Sequence, residues 1–128
     1  MGALAEAAVA LALTKEGYVV FVPFFSAHGR IDLIYQRPDG SVSRVQCKSA
    51  RLVGDVMAFY TCSHTGGIRR DYRNEVDEFG VYCARTDSVY VIPVEDVPAR
   101  QAHLRLGPTR NNQASGVRWA EPYRLAGG

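Results

Sequence analysis

Asp32, Gln46 and Lys48 supply a carboxylate, an amide oxygen and an ammonium group, three groups able to act together on a phosphodiester. A hard cation takes oxygen ligands of the first two kinds, polarises a phosphate and acidifies a bound water. The ammonium group stabilises developing negative charge or helps orient the nucleophile. Their spacing matters because Arg30 to Gln36 and Ser41 to Ser49 read as strands on either side of the turn Pro38-Asp39-Gly40. A hairpin centred on Asp39 sets Asp32 opposite Gln46, with Cβ atoms roughly 5 Å apart, near enough to share one ion. Alternation supports this register: Ile31, Leu33, Tyr35, Val45 and Cys47 fall on one face, the core, and Asp32, Gln46 and Lys48 on the other. Taken singly, each of the three also suits the solvated polar face of an edge hairpin.

Glu6 is the only charged side chain among the first fourteen residues and lies at helical spacing from Val9, Ala10 and Leu13. It is expected to project from an otherwise buried helix face and to need a partner. The helix N-terminus is one such partner.

Ile31-Asp32 followed by Gln46-Cys47-Lys48, on a hairpin after a Glu-bearing helix, resembles the motif of the PD-(D/E)XK nucleases. The layout is similar to the short nucleases that include a group I intron homing endonuclease, which also carry Gln in the motif, and to archaeal Holliday-junction resolvases. The resemblance implies an α/β, restriction-endonuclease-like fold: a helix, then a mixed central β-sheet with flanking helices. It also implies Mg²⁺ as cofactor, with Mn²⁺ substituting, held by Glu6, Asp32, Gln46 and the Cys47 backbone carbonyl. Glu6, Asp32, Gln46 and Lys48 are the catalytic set so implied. Ile31 stands where the motif has proline, which does no chemistry. Gln46 stands where most relatives have an acid, and its amide binds Mg²⁺ less strongly than a carboxylate. The expected activity is therefore double-strand DNA cleavage at a specific site, in the manner of a homing enzyme. The alternatives are a nuclease selective for branched junctions and a DNA-binding module that has kept the fold and lost cleavage.

Arg69, Arg70 and Arg73, with Tyr72 among them, are candidates to grip DNA phosphates, although Asp71 and Glu75 would equally balance them in a solvated loop. Arg110-Asn111-Asn112-Gln113 pairs Arg, which suits guanine, with Asn and Gln, which suit adenine, and it also reads as an Asn-rich turn. Arg118 belongs to the same basic tail, whose arginines from Arg100 onward face one acid, Glu121. Trp119 and Tyr123, four apart, are expected to fasten a short terminal helix to the core. Asp77 is expected to have a structural role, and His28 to be exposed.

The elements that must position these groups are legible in part. Ala3 to Glu16 is Ala- and Leu-rich and ends at Gly17, which suits the left-handed position after a helix. Tyr18 to Val22, the two hairpin strands, Met57 to Tyr60, Phe79 to Cys83 and Val89 to Val94 read as strands. Cys62 to Asn74 reads as an irregular basic loop. A length of 128 residues at 47% hydrophobic fits a single domain over 1–128, with a basic C-terminal extension over 100–128. Cys47, Cys62 and Cys83 lack metal-site spacing, which argues against a zinc site or disulfide framework. The apolar run near the N-terminus is too short to span a bilayer. An intracellular, soluble, DNA-associated protein is expected. One active site per chain implies a homodimer or homotetramer for cutting two strands.

Overall fold

The computed structural model describes residues 2–25, 29–65, 68–71, 75–107 and 117–125, with backbone only for 63–65 and 68–71. Helix α1 (Gly2–Lys15) ends where Tyr18 N–H reaches back to the Leu13 carbonyl at 3.2 Å, and Gly17 holds φ +94°, as its residue type predicts. Then follow β1 (Val19–Phe21), β2 (Leu33–Gln36), β3 (Val42–Val53), β4 (Val56–Tyr60), β5 (Cys62–Thr65) and β6 (Ile68–Asp71). The chain continues with β7 (Glu78–Cys83), β8 (Ser88–Pro93) and β9 (Gln101–Arg105). Val94–Asp96 and Glu121–Tyr123 are single 3₁₀ turns.

Seven strands form a mixed sheet built around β3, which is twelve residues long. One edge of β3 pairs antiparallel with β2 as far as Val45 and antiparallel with β4 from Arg51. The strand also pairs parallel with β7 from Val45 to Ala50. Outside these, β1 pairs β2, β8 pairs β7 and β9 pairs β4, all antiparallel. Parallel neighbours need a long crossover, and here β4 and the separate β5–β6 hairpin provide it.

Two apolar clusters hold the sheet. Ala5, Val9, Ala12 and Leu13 give α1 a buried stripe at helical spacing, and it packs on Leu33, Tyr35, Val45, Cys47 and Val89. On the opposite side, Phe79, Val81, Tyr90 and Ile92 of β7 and β8 meet Met57, Phe59, Ala102 and Leu104 of β4 and β9, together with Val94, Val97 and Ala120. The Phe59 and Phe79 rings stand 5.8 Å apart, edge to face. The β4–β9 ribbon thus folds over the second face of β7–β8. Among the described residues α1 is the one α-helix, and it covers the other face.

Three sequence expectations change. Cys62 to Asn74 contains the paired strands β5 and β6 rather than only irregular loop. The basic tail contributes β9 to the main sheet, with Ala102 and Leu104 buried and His103 exposed between them. The expected terminal helix near Trp119 is the 3₁₀ turn at Glu121–Tyr123.

At Gly80 on β7, α1 packs close against the sheet. A Cβ there would meet Val9 Cγ1 at 2.6 Å and Val45 Cγ1 at 3.1 Å. Glycine is therefore required for the helix to seat as it does. Gly80→Ala should destabilise the protein by about 1–3 kcal/mol through overpacking. The measurement is a lower urea midpoint with unchanged slope, and an unchanged midpoint would mean that α1 is free to lift away.

Candidate active site

The turn Arg37-Pro38-Asp39-Gly40 closes with Gly40 N–H on the Arg37 carbonyl, and Asp39 Oδ1 accepts from both the backbone N–H and the hydroxyl of Ser41. The hairpin register is the one turn symmetry predicts: Gln36↔Val42, Tyr35↔Ser43, Ile34↔Arg44 and Leu33↔Val45. It stops one pair short of Asp32↔Gln46. Asp32 N–H bonds the carbonyl of Val45, the residue already opposite Leu33, at 2.9 Å. Two residues of one strand thus face one of the other, as in a bulge. The direct opposition expected of Asp32 and Gln46 is corrected accordingly. Ile31, expected beside Leu33 in the helix-side core, packs instead against the cluster on the far face.

The bulge brings Asp32 to a gap in the sheet. β2 leaves β3 after Val45 and β4 joins it only at Arg51, so the stretch between has strand pairing on the β7 side alone. There the Cys47 N–H donates to Asp32 Oδ2 at 2.8 Å. A strand residue sends its N–H and C=O to the same edge, so the Cys47 carbonyl also points into the gap. Gln46 and Lys48 flank Cys47 on β3.

The electrostatics of this gap favour a cation. Burial raises the Asp32 carboxyl above the usual carboxylate range; the Cys47 hydrogen bond opposes this, Glu6 adds to it and Lys48 opposes it. Glu6 is exposed while Val9 and Leu13, at helical spacing from it, are buried, and its field reaches both Asp32 and Cys47. Burial, Asp32 and Glu6 together push the Cys47 thiol up, so it is neutral and chemically quiet. Gln46 Oε1 is buried and has no hydrogen-bond partner among the described residues. An acceptor left in that state costs roughly 1–3 kcal/mol, which an electropositive ligand would relieve. Among the described residues no three His, Cys, Asp or Glu side chains gather at ligating distance. The available donors are two carboxylates, one amide oxygen and one backbone oxygen, which suit a hard divalent ion.

The PD-(D/E)XK endonuclease family model matches residues 1–126. The chain belongs to that family. No curated protein sequence matches it. Among solved structures, it is similar to the bacterial homing endonuclease I-Ssp6803I at 22% identity, over 98% of this chain and 86% of that one, with a TM-score of 0.77. That likeness establishes the restriction-endonuclease-like fold, here a mixed sheet with an N-terminal helix. PD-(D/E)XK nucleases use divalent metal ions.

The remaining sequence candidates are placed unevenly. Arg69 and Arg70 lie on β6, paired with His64 and Ser63, and their side chains lie outside the described residues. Arg73, Arg110, Asn111, Asn112, Gln113 and His28 lie outside them entirely. Arg118 is exposed and donates to the Tyr123 hydroxyl at 3.0 Å; that hydroxyl donates in turn to Asp96 Oδ2 at 2.9 Å. Arg118 therefore holds the terminal turn, whatever else it binds. Trp119 remains partly exposed, while Tyr123 packs on the core.

Asp77 has the structural role expected of it, in a form the sequence did not suggest. Its carboxylate accepts from the Arg44 backbone N–H at 2.8 Å and from the Arg44 guanidinium at 3.1 and 3.0 Å. Its own N–H donates to the Arg44 carbonyl. This fork locks β3, two residues before Gln46, to the start of β7. Sequence separation hides it: the partners are 33 residues apart. Arg51, also passed over, stacks its guanidinium 5.3 Å from the Tyr60 ring centroid and extends the positive charge along β3 beyond Lys48.

Asp32 and Asp77 should give opposite pH signatures. The Asp32 carboxyl is raised, so its contribution to stability is full below the ordinary aspartate range and is lost as pH rises through the raised value. Asp32→Asn should match the parent at low pH and melt about 2 °C higher at neutral pH without metal, a small gain because half-exposed charge is screened. The Arg44 guanidinium holds Asp77 below the ordinary range. Its contribution is present above that range and is lost as pH falls through the depressed value. Asp77→Asn should melt lower than the parent at neutral pH, with the difference closing in strong acid. Melting curves from pH 2 to 8 check both signs.

Proposed function

We propose that this PD-(D/E)XK protein is a Mg²⁺-dependent DNA endonuclease, cutting both strands at a specific site in the manner of a homing enzyme. The observation that carries the reading is the gap in the β3 edge. Asp32 is anchored there on Cys47 N–H, and Cys47 is flanked on β3 by Lys48 and by Gln46, whose oxygen has no hydrogen-bond partner among the described residues. Support for the homing type comes from the fold likeness to I-Ssp6803I.

Asp32, Gln46 and the Cys47 carbonyl would hold the ion directly, with Glu6 reaching it from α1 across solvent. Mg²⁺ is the expected ion and Mn²⁺ an effective substitute. Once bound, the ion supplies Lewis-acid polarisation of the phosphate and a more acidic water. The chain's own groups do the rest. Asp32 would fix the polar side of the site through its backbone bond, and Lys48 would place an ammonium charge near the negative charge that builds on the pentacoordinate phosphorus in the transition state. Lys48 also partly offsets the repulsion between Asp32 and Glu6.

Arg69, Arg70 and Arg73 on and after β6, and Arg110, Asn111, Asn112, Gln113 and Arg118 in the tail, would contact the duplex. The first group would position the backbone and the second would read bases. One site per chain calls for a homodimer or homotetramer acting inside the cell. Among the described residues no helix is long and apolar enough to cross a membrane. A second reading, a DNA-binding module without cleavage, draws on one observation: Gln46 brings no negative charge to the site.

Supercoiled plasmid, linear duplex and a four-way junction, each incubated with Mg²⁺ and with EDTA, separate these readings. Cleavage of linear duplex at one position in Mg²⁺ alone is the expected outcome. Preference for the junction would replace the homing reading with a structure-selective one, and no nicking with any divalent ion would leave the non-cleaving module. Lys48→Ala should lower the cleavage rate by at least ~100-fold. Gln46→Glu should reduce the Mg²⁺ concentration needed for half-maximal rate severalfold, because a carboxylate binds the ion more tightly than an amide. An unchanged Mg²⁺ requirement would show that residue 46 does not reach the ion.

A further inference from the structure

The half of the sheet formed by β1, β2 and the start of β3 is covered on one face by α1. On its other face, no described element covers it. The registers build two cross-strand rows there: Val19, Gln36 and Val42, then Phe21, Ile34 and Arg44. Val19, Phe21 and Val42 are each about half exposed. Among the described residues the outer edge of β1 pairs with no other strand, so this face ends in an open strand edge. Just beyond β1, Phe24 and Phe25 stand 89% and 92% exposed, ring against ring at 4.7 Å. Beside them lies a cavity of about 580 Å³, walled largely by Phe21, Val22, Pro23, Ile31, Leu33 and Ile34.

An aromatic knob and an apolar hole thus sit side by side on one surface. Under a two-fold axis, the knob of each copy meets the hole of the other, which is the self-complementarity an isologous contact requires. Charge points the same way. The arginines at the cavity are already engaged, Arg30 with Glu75 at 3.1 Å and Arg44 with Asp77 at 3.0 Å, so the surface offers a phosphate backbone little. Size is adequate as well: two open phenylalanines contribute roughly 350 Å². With β1 and the cavity walls, this approaches the ~800 Å² per partner of a stable interface.

We propose that this face is the self-association surface of the protein, with Phe24 and Phe25 of one copy seated in the cavity of a second copy. Ile31 and Leu33 line that cavity and flank Asp32, so the partner's rings support the strand segment that carries the catalytic carboxylate. The proposal supplies the surface for the assembly that a double-strand cut requires, and to that extent it rests on the nuclease reading.

Sedimentation equilibrium of the full chain without DNA tests it. The parent should sediment as a dimer or a higher even oligomer at micromolar concentration. The Phe24→Ser/Phe25→Ser variant should keep its circular dichroism spectrum and self-associate at least about a hundredfold more weakly. Phe25→Cys combined with Ile34→Cys should form a cross-chain disulfide under mild oxidant in the parent background. A monomeric parent, or a double serine variant that still assembles like the parent, overturns the proposal. The nuclease reading fails separately: an assembled protein that nicks no DNA with any divalent ion refutes cleavage and leaves the surface intact.

Discussion

The arrangement depends on a gap along one edge of β3. A strand inside a sheet cannot leave its backbone groups unpaired without cost, yet β2 departs after Val45 and β4 arrives only at Arg51. The Cys47 N–H exposed in this gap is satisfied by the Asp32 carboxylate. One hydrogen bond therefore repairs the sheet and fixes the Asp32 carboxylate in the gap. The repair is incomplete, because burial and Glu6 hold Asp32 above its usual range and Gln46 Oε1 has no partner among the described residues. Both deficits have the same sign: each is a negative pole short of positive charge. Such local conflict, retained in an otherwise consistent fold, is what a binding site for a cation looks like before the cation is considered.

The rest of the molecule holds that gap open. Parallel pairing with β7 supports β3 from Val45 to Ala50, so the strand does not need its other edge to stay straight. Asp77 grips Arg44 at the entry to this stretch, and the close seat of α1 on Gly80 fixes the helix that carries Glu6. A second polar network steadies the hairpin on the helix side. The Tyr35 hydroxyl donates to Glu78 at 2.6 Å while Arg37 bonds Tyr35 and the buried Ser43. The parallel pairing also demands a long crossover, and that excursion includes β5 and β6, with Arg69 and Arg70. A topological requirement of β3 thus accommodates the separate β5–β6 hairpin.

Much of this is legible in the sequence because it is local. Pro38-Asp39-Gly40 sets the turn, the turn sets the register, and the register puts Asp32 within one step of Gln46. Helix α1 and its end at Gly17 follow from composition. What was not legible is decided by distant neighbours. The bulge at Asp32, which sends Ile31 to the opposite face, exists because β2 must leave β3, and nothing in Arg30 to Gln36 records that. The Arg44–Asp77 fork spans two strands that become adjacent only through the crossover. Strand β9 is a different case: Gln101-Ala102-His103-Leu104-Arg105 carries a clear period of two, but its charge invited a reading as tail. Gly66-Gly67 between two short runs is likewise a hairpin signal that polar composition outweighed.

Gln46 is best understood through charge balance. The helix already contributes Glu6, whose field raises Asp32, and Lys48 only partly offsets it. A third carboxylate at position 46 would sit on β3 one residue from the Cys47 N–H that anchors Asp32. Like charges at that range disfavour ionisation of one another, so an acid there would push Asp32 further toward its neutral form. An amide at position 46 offers an oxygen without adding that repulsion. In the proposed site the glutamine would act as a neutral ligand beside an acid supplied from α1, and the close helix contact at Gly80 would then bear on the site's electrostatics as well as on its packing.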